Sequence, residues 1–217
     1  MNLNDFENSY QKLIGYFTNG IYLAELHTAQ KDFFSNTGTL DENKPNYSLR
    51  LHQFYDWYFL TRKLSSHSQT PMAVCIDQRD LRLNEDDLKC VQILSSHTHS
   101  LFEFIKVKKE IVFLKNLLTE KKIEVASEGQ MFSFDSKETF EARYISIADR
   151  NYFLKGFCFH PDSAQKYILE ELKKIRKNPD LDINDFALRL NKMRYKLEQY
   201  RHIKPDMVYT NENKLNL

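Results

Sequence analysis

The spacing of hydrophobic residues changes near residue 100, and this change constrains the fold more than any other feature. Before it, apolar residues recur every three or four positions, as they do along one face of an α-helix. From Ser100 to His160, short runs of β-prone residues replace that pattern, and helical spacing then returns. The sequence therefore predicts an α+β protein with an N-terminal helical layer at 1–99, a strand-rich module at 100–160 and a C-terminal helical hairpin at 161–204. The polar residues at 205–217 are predicted to form a disordered tail.

The strand-rich module consists of short runs separated by polar turns. The runs cover residues 101–107, 111–117, 123–126, 142–148 and 152–159, with 131–134 as a further candidate. So small an antiparallel unit commonly hides its edges by closing on itself. We therefore expect a small β-barrel or a curled sheet, SH3-like or OB-like.

Aromatic residues crowd the second predicted helix, at about 47–64. They include Tyr55, Trp57, Tyr58 and Phe59. Apolar groups around most of a helix indicate burial on more than one side, so we interpret these rings as core. The alternative is an exposed patch that stacks bases or binds a partner.

The final predicted helix carries a seam of apolar residues at alternating spacings of four and three. The seam consists of Phe186, Leu190, Met193, Leu197 and Tyr200. Two heptads are too few for a free coiled coil. The seam is therefore expected to pack on the preceding helix or on a second copy of the protein.

Basic residues concentrate in the C-terminal hairpin, although the net charge of the whole chain is only +1. The candidate binding residues are Lys173, Lys174, Arg176, Lys177, Arg189, Lys192, Arg194 and Lys196. They indicate either a solvated helix face or a site for an anionic partner. Alternating Phe102, Phe104, Phe132 and Phe134 could add a base-stacking platform, or could simply fill a barrel.

Motifs for catalysis and cofactor binding are absent from the sequence. It contains no G-x-S-x-G, GxxxxGK[ST], G-x-G-x-x-G or H-E-x-x-H pattern. His97 and His99 are weak metal-ligand candidates, since zinc sites usually show a second pair of ligands. We accordingly predict no catalytic residue and no cofactor, and an enzyme is the less favoured class.

Three cysteines, Cys75, Cys90 and Cys158, are odd in number and form no CxxC motif. This usage fits a reducing compartment. The first residues lack the basic and apolar regions of a signal peptide, and no apolar run approaches the length of a membrane span. The sequence predicts a cytoplasmic protein without a membrane segment.

Several segments between about residues 50 and 177 resemble a family of uncharacterised bacterial proteins. The segments that carry the resemblance are Phe54-Tyr55-Asp56-Trp57-Tyr58-Phe59, Thr70-Pro71, Ser100-Leu101-Phe102-Glu103, Leu114 to Thr119, Phe140-Glu141-Ala142-Arg143 and Gly156-Phe157-Cys158-Phe159-His160-Pro161. The resemblance implies the order of elements and a bacterial setting, and it brings no activity. The biochemical function stays unknown at this stage. A non-enzymatic protein-interaction or regulatory role is favoured, and RNA or single-stranded nucleic-acid binding is the alternative.

Overall fold

A computed structural model of the chain describes residues 1–128, 134–200 and 202–212. The helices of this part are α1 (Leu3–Phe17), α2 (Leu23–Thr37), α3 (Tyr47–Leu60), α4 (Pro71–Val74), α5 (Glu85–Ser95), α6 (Gln165–Lys177), α7 (Ile183–Gln199) and α8 (Pro205–Val208). The strands are β1 (Thr98–Lys108), β2 (Ile111–Asn116), β3 (Lys122–Ala126), β4 (Thr139–Ile147) and β5 (Arg150–His160). The α+β class predicted from the sequence, with helices at both ends, is confirmed.

The chain forms two compact units, and each combines segments that are distant in sequence. The first unit contains Met1–Phe34, Leu40–Thr98 and Arg143–Gly156. The second contains Ser35–Thr39, His99–Ala142 and the chain from Phe157 onward.

Helices of the first unit begin and end where local chemistry dictates. Asn2 caps α1 through a capping box with Asp5, and Asn84 caps α5 in the same way with Asp87. Helix α1 ends before Gly20, whose φ of 55° lies in the left-handed region that favours glycine. The chain thus turns there and continues as α2.

Helix α3 is buried on more than one side, as its composition predicts. Phe54, Tyr58 and Phe59 are fully buried, and the Tyr58 hydroxyl donates to the carbonyl of Phe17 at 2.8 Å. Tyr55 and Trp57 are half-buried. The interpretation of the aromatic run as core is therefore confirmed for Tyr58 and Phe59, whereas Tyr55 and Trp57 are only partly buried.

The five strands form one open antiparallel sheet in the order β3-β2-β1-β4-β5. The predicted SH3-like or OB-like barrel is wrong, because β3 and β5 stand at the two ends of this order. In the second unit, helices α6 and α7 explain why the sheet can stay open. Their side chains pack with Leu101 and Leu117 in one core, so the strands there bury apolar surface under helices, without closure.

Two segments need a separate remark. Met131 to Ser133, most of the further strand candidate, lie outside the described residues. Residues 205–208 form helix α8, and Val208 and Tyr209 are buried in the core of the second unit, where the sequence predicted a disordered tail. Within the described part, no helix combines the length and the apolar character needed to cross a membrane.

Candidate functional site

A cavity of about 200 Å³ lies in the first unit, between one face of α1, one face of α3 and residues of the β4–β5 hairpin. From α1 come Leu3, Phe6, Glu7, Tyr10, Gln11, Ile14 and Gly15, followed by Thr18. These positions are three or four apart, so they share one face of the helix. The other lining residues are His52, Tyr55, Asp56, Ile145, Phe153, Leu154 and Lys155. The site is thus mostly apolar and aromatic, with a few polar groups.

Asp56 is the most unusual lining residue, because only 5% of this charged side chain is exposed. Its oxygens accept two hydrogen bonds, from the Tyr10 hydroxyl to Oδ1 at 2.8 Å and from the Gly156 backbone N–H to Oδ2 at 3.0 Å. Burial raises the pKa of Asp56, while the positive charge of Arg143 and the bond from Tyr10 oppose that rise. The carboxylate is therefore held in one position by groups from α1 and β5.

Gly156 allows this close approach because it has no side chain. A Cβ at this position would lie 2.6 Å from Asp56 Oδ2 and 3.0 Å from the backbone Cα of Gln53. Both distances are too short for ordinary contact. The glycine is thus needed for space between β5 and α3.

Arg143 is buried near the same carboxylate and does not line the cavity. Its Nη2 donates to Thr61 Oγ1 at 2.7 Å, and its Nη1 lies 3.0 Å from His97 Nε2. Because a guanidinium only donates, His97 Nε2 must accept, and the Nδ1–H then donates to the carbonyl of Leu94 at 2.7 Å. Both ring nitrogens of His97 are therefore occupied within the protein.

His99 lies in the second unit and is also occupied. Its Nε2 is 2.7 Å from Glu141 Oε1, and its Nδ1 is 2.7 Å from Asn184 Oδ1. The Asn184 amide is oriented by its own bond to Asp182 Oδ1, which leaves its oxygen toward the ring. No three His, Cys, Asp or Glu residues of the described chain form a group suited to a metal ion.

His160 occupies the core of the second unit beside Tyr209. Its Nδ1 is 3.1 Å from the Tyr209 hydroxyl, and burial lowers the pKa of His160 to about 4. The ring is therefore uncharged at neutral pH. Within the described chain, its Nε2 makes no hydrogen bond.

Half of the eight predicted basic binding residues are engaged in ion pairs within the second unit. Lys174 and Arg189 both contact Glu171, Arg176 contacts Glu120 at 2.7 Å, and Arg194 contacts Glu198 at 3.3 Å. These glutamates reduce the positive charge that an anionic partner would meet. The other four, Lys173, Lys177, Lys192 and Lys196, complete the predicted set.

The predicted phenylalanine platform is also used inside the second unit. Phe134 stacks on Phe104 and on Phe140, with ring centroids 4.9 and 5.0 Å apart, and Phe102 is fully buried. Phe132 lies outside the described residues. Half of the basic residues of the C-terminal hairpin are paired with glutamates, and these phenylalanine rings pack against one another. Nucleic-acid binding is therefore not supported.

The α7 seam packs mainly within the second unit. Phe186, Leu190 and Met193 are buried in the core with α6, and Leu197 packs against it. Tyr200 is 40% exposed. The seam thus packs with the preceding helix, one of the two predicted arrangements. Self-association through the seam residues stays a prediction.

Asp56, Tyr10 and Arg143 were not among the residues that the sequence nominated. One signal was present, since Asp56 is the only charged residue within the aromatic run of α3 and Arg143 is the corresponding residue within the β-prone run of β4. A lone charge in an otherwise apolar segment indicates a buried, paired group.

Comparison with known proteins assigns no activity. The chain matches no curated protein and no solved structure. One family model matches residues 30–205, which is most of the chain. The matched part includes Asp56, Arg143 and Gly156, and α1 lies outside it. The predicted membership of an uncharacterised family is confirmed, and the chain belongs to a family of unknown function, DUF7986.

Proposed function

We propose that this protein is a non-enzymatic regulatory protein that binds a small molecule in the cavity of its first unit. The observation that carries the proposal is the cavity itself, with its apolar and aromatic lining and its rigidly held carboxylate. Small-molecule sites are typically concave and mostly apolar, with a few fixed polar groups that orient the ligand. At about 200 Å³ the cavity suits a compact ligand.

Binding is favoured over catalysis because the two most buried polar side chains of the lining, Asp56 and Tyr10, are hydrogen-bonded to each other. Asp56 accepts at both oxygens, and burial, together with the neighbouring Asp56 charge, raises the pKa of Tyr10 well above its usual range. A hydroxyl with so high a pKa keeps its proton at neutral pH. These groups support the shape of the cavity, which fits a receptor for a ligand better than a source of protons.

Other lining groups are available to a ligand. Within the part of the chain that the structure describes, the side chains of Gln11, His52 and Tyr55 line the cavity and make no hydrogen bond to the protein. They provide an amide, an imidazole and a phenol. A ligand in the cavity would replace the hydrogen bonds that these groups otherwise make with water.

Blocking the cavity at Gly15 tests the proposal. A Cβ at Gly15 would meet nothing within 4 Å, so a side chain can be attached at this lining position without a clash at its first atom. We expect fragments detected by saturation-transfer NMR to bind the wild-type protein and the matched control Gly15→Ala. Gly15→Phe should lose them while keeping its circular dichroism spectrum and its melting temperature.

Two results would contradict the proposal. The first is a folded wild-type protein that binds no fragment from a broad library. The second is a set of fragments that binds Gly15→Phe as well as it binds Gly15→Ala, since such binding would take place elsewhere. The cytoplasmic location and the bacterial origin remain predictions that this experiment does not address.

A further inference from the structure

We infer that the ligand of this cavity is an uncharged, planar ring compound about the size of indole. The inference rests on the proposed function and specifies the class of ligand. Three independent observations support it: the pairing of the charges around the cavity, its volume and aromatic lining, and the polar groups that remain available.

Each charged side chain of the lining has an opposite charge close to it. At the cavity edge, Lys155 Nζ lies 3.3 Å from Glu7 Oε1, and both side chains are partly exposed, at 45% and 40%. Asp56 is balanced by Arg143, whose positive charge opposes the effect of burial on the Asp56 carboxyl. A charged ligand would lose its hydration in a cavity where no unpaired countercharge replaces it. A neutral ligand avoids that cost.

The volume and the lining define the shape. A buried apolar cavity of about 150 Å³ accepts benzene, so about 200 Å³ accommodates one or two fused rings. Phe6, Tyr10, Tyr55 and Phe153 contribute aromatic rings to the lining. Aromatic faces favour offset or edge contacts with another ring, which selects a planar ligand over a branched aliphatic one.

The polar groups define what the ring should carry. The side chains of Gln11, His52 and Tyr55 can each donate or accept a hydrogen bond, and none of these side chains is hydrogen-bonded to the described protein. One ring N–H or one carbonyl on the ligand would meet these groups without a net charge. Indole has this character, and it is therefore a suitable probe.

A set of three probes with the same ring separates charge from shape. The probes are indole, tryptamine and indole-3-acetate, which are neutral, cationic and anionic at pH 7.5. We expect indole to bind the wild-type protein at least tenfold more tightly than either charged probe, as measured by ligand-observed NMR titration. Gly15→Phe should abolish binding of indole.

Two variants of the edge ion pair add a readout that general hydrophobicity cannot produce. Lys155→Met leaves Glu7 unpaired, so the affinity for tryptamine should rise severalfold relative to indole. Glu7→Gln leaves Lys155 unpaired, so the affinity for indole-3-acetate should rise instead. Both side chains are partly exposed, and the two variants serve as controls for each other.

The outcomes distinguish this inference from the proposed function. Cavity-dependent binding of a charged probe that equals or exceeds binding of indole would overturn the inference and leave the proposed function in place. The same holds if the fragment screen finds cavity ligands and indole does not bind. Absence of any cavity-dependent ligand would overturn both.

Discussion

The backbone N–H of Gly156 donates to Asp56 Oδ2 at 3.0 Å, and a Cβ on the same glycine would lie 2.6 Å from that oxygen. The hydrogen bond therefore requires a residue without a side chain at position 156. Neither residue can be replaced without disturbing the other. Predictions for the cavity follow from this relationship.

Gly156→Ala should destabilise the protein by about 1–3 kcal/mol, because the added methyl group overpacks a buried contact. One of its close neighbours, Gln53, is met at its backbone, which cannot move as a flexible side-chain end can. Urea denaturation followed by circular dichroism measures the change. Gly15→Ala is the matched control and should stabilise α1 by about 0.5–1 kcal/mol, since its Cβ meets open space in a helix. Equal stability of the two variants would show that the space at Gly156 is not limiting.

Asp56→Asn should change how the free energy of unfolding depends on pH. Burial raises the folded-state pKa of Asp56 above its ordinary value of 3.8, so the folded protein binds the proton more tightly than the unfolded chain does. The Asp56 contribution to stability should therefore increase as the pH falls from 7 toward 4. The difference between wild type and Asp56→Asn, measured by denaturation at both pH values, should show this trend. A difference that is constant with pH would contradict it.

His160 should contribute to the pH dependence of the free energy of unfolding with the opposite sign to Asp56, and His160→Gln should remove that contribution. Because burial lowers the pKa of His160 to about 4 from 6.5, the unfolded chain binds the proton more readily. Wild-type stability should then fall as the pH drops from about 6.5 to about 4, by roughly 3 kcal/mol at one pKa unit per 1.4 kcal/mol. His160→Gln should lose this component and keep a group that can bond to Tyr209. If the two proteins lose stability in parallel, His160 is not the residue that titrates.

Cys75 and Cys90 should resist alkylation in the folded protein. Burial raises the pKa of both thiols to about 12, and the reactive thiolate is correspondingly scarce at pH 8. Iodoacetamide followed by mass spectrometry should leave both residues unmodified in buffer and modified in 6 M guanidinium. Rapid labelling of either residue in buffer, with circular dichroism unchanged, would show that it is accessible.

Local features of the fold were predictable from the sequence because their causes are local. The Asn84 cap of α5 is followed within three residues by the Asp87 that completes it. The conformation of the turn between β4 and β5 has no such signal in the sequence. Ala148 and Asp149 adopt positive φ values there, and neither residue is a glycine. The strands of the sheet were recognised, whereas its openness depends on whether helices cover it, and strand composition does not report this.

The candidate site could not be assembled from the sequence. Tyr10 and Gly156 lie 46 and 100 residues from Asp56, and no spacing motif links groups so far apart. Asp56 was visible as a lone carboxylate among aromatic residues, but its partners depend on how α1 and β5 pack. The predicted histidines, by contrast, were conspicuous in the sequence and proved to be committed to hydrogen bonds inside each unit.

An open sheet must protect its outer strand against pairing with other chains. Strand β3 stands at one end of the order, and its exposed positions carry Lys122 and Glu124. Charges on an edge strand discourage a second chain from adding its own strand there, because pairing would take these charges out of water. Replacing both residues with valine would therefore favour concentration-dependent aggregation, even where the folded monomer lost no stability.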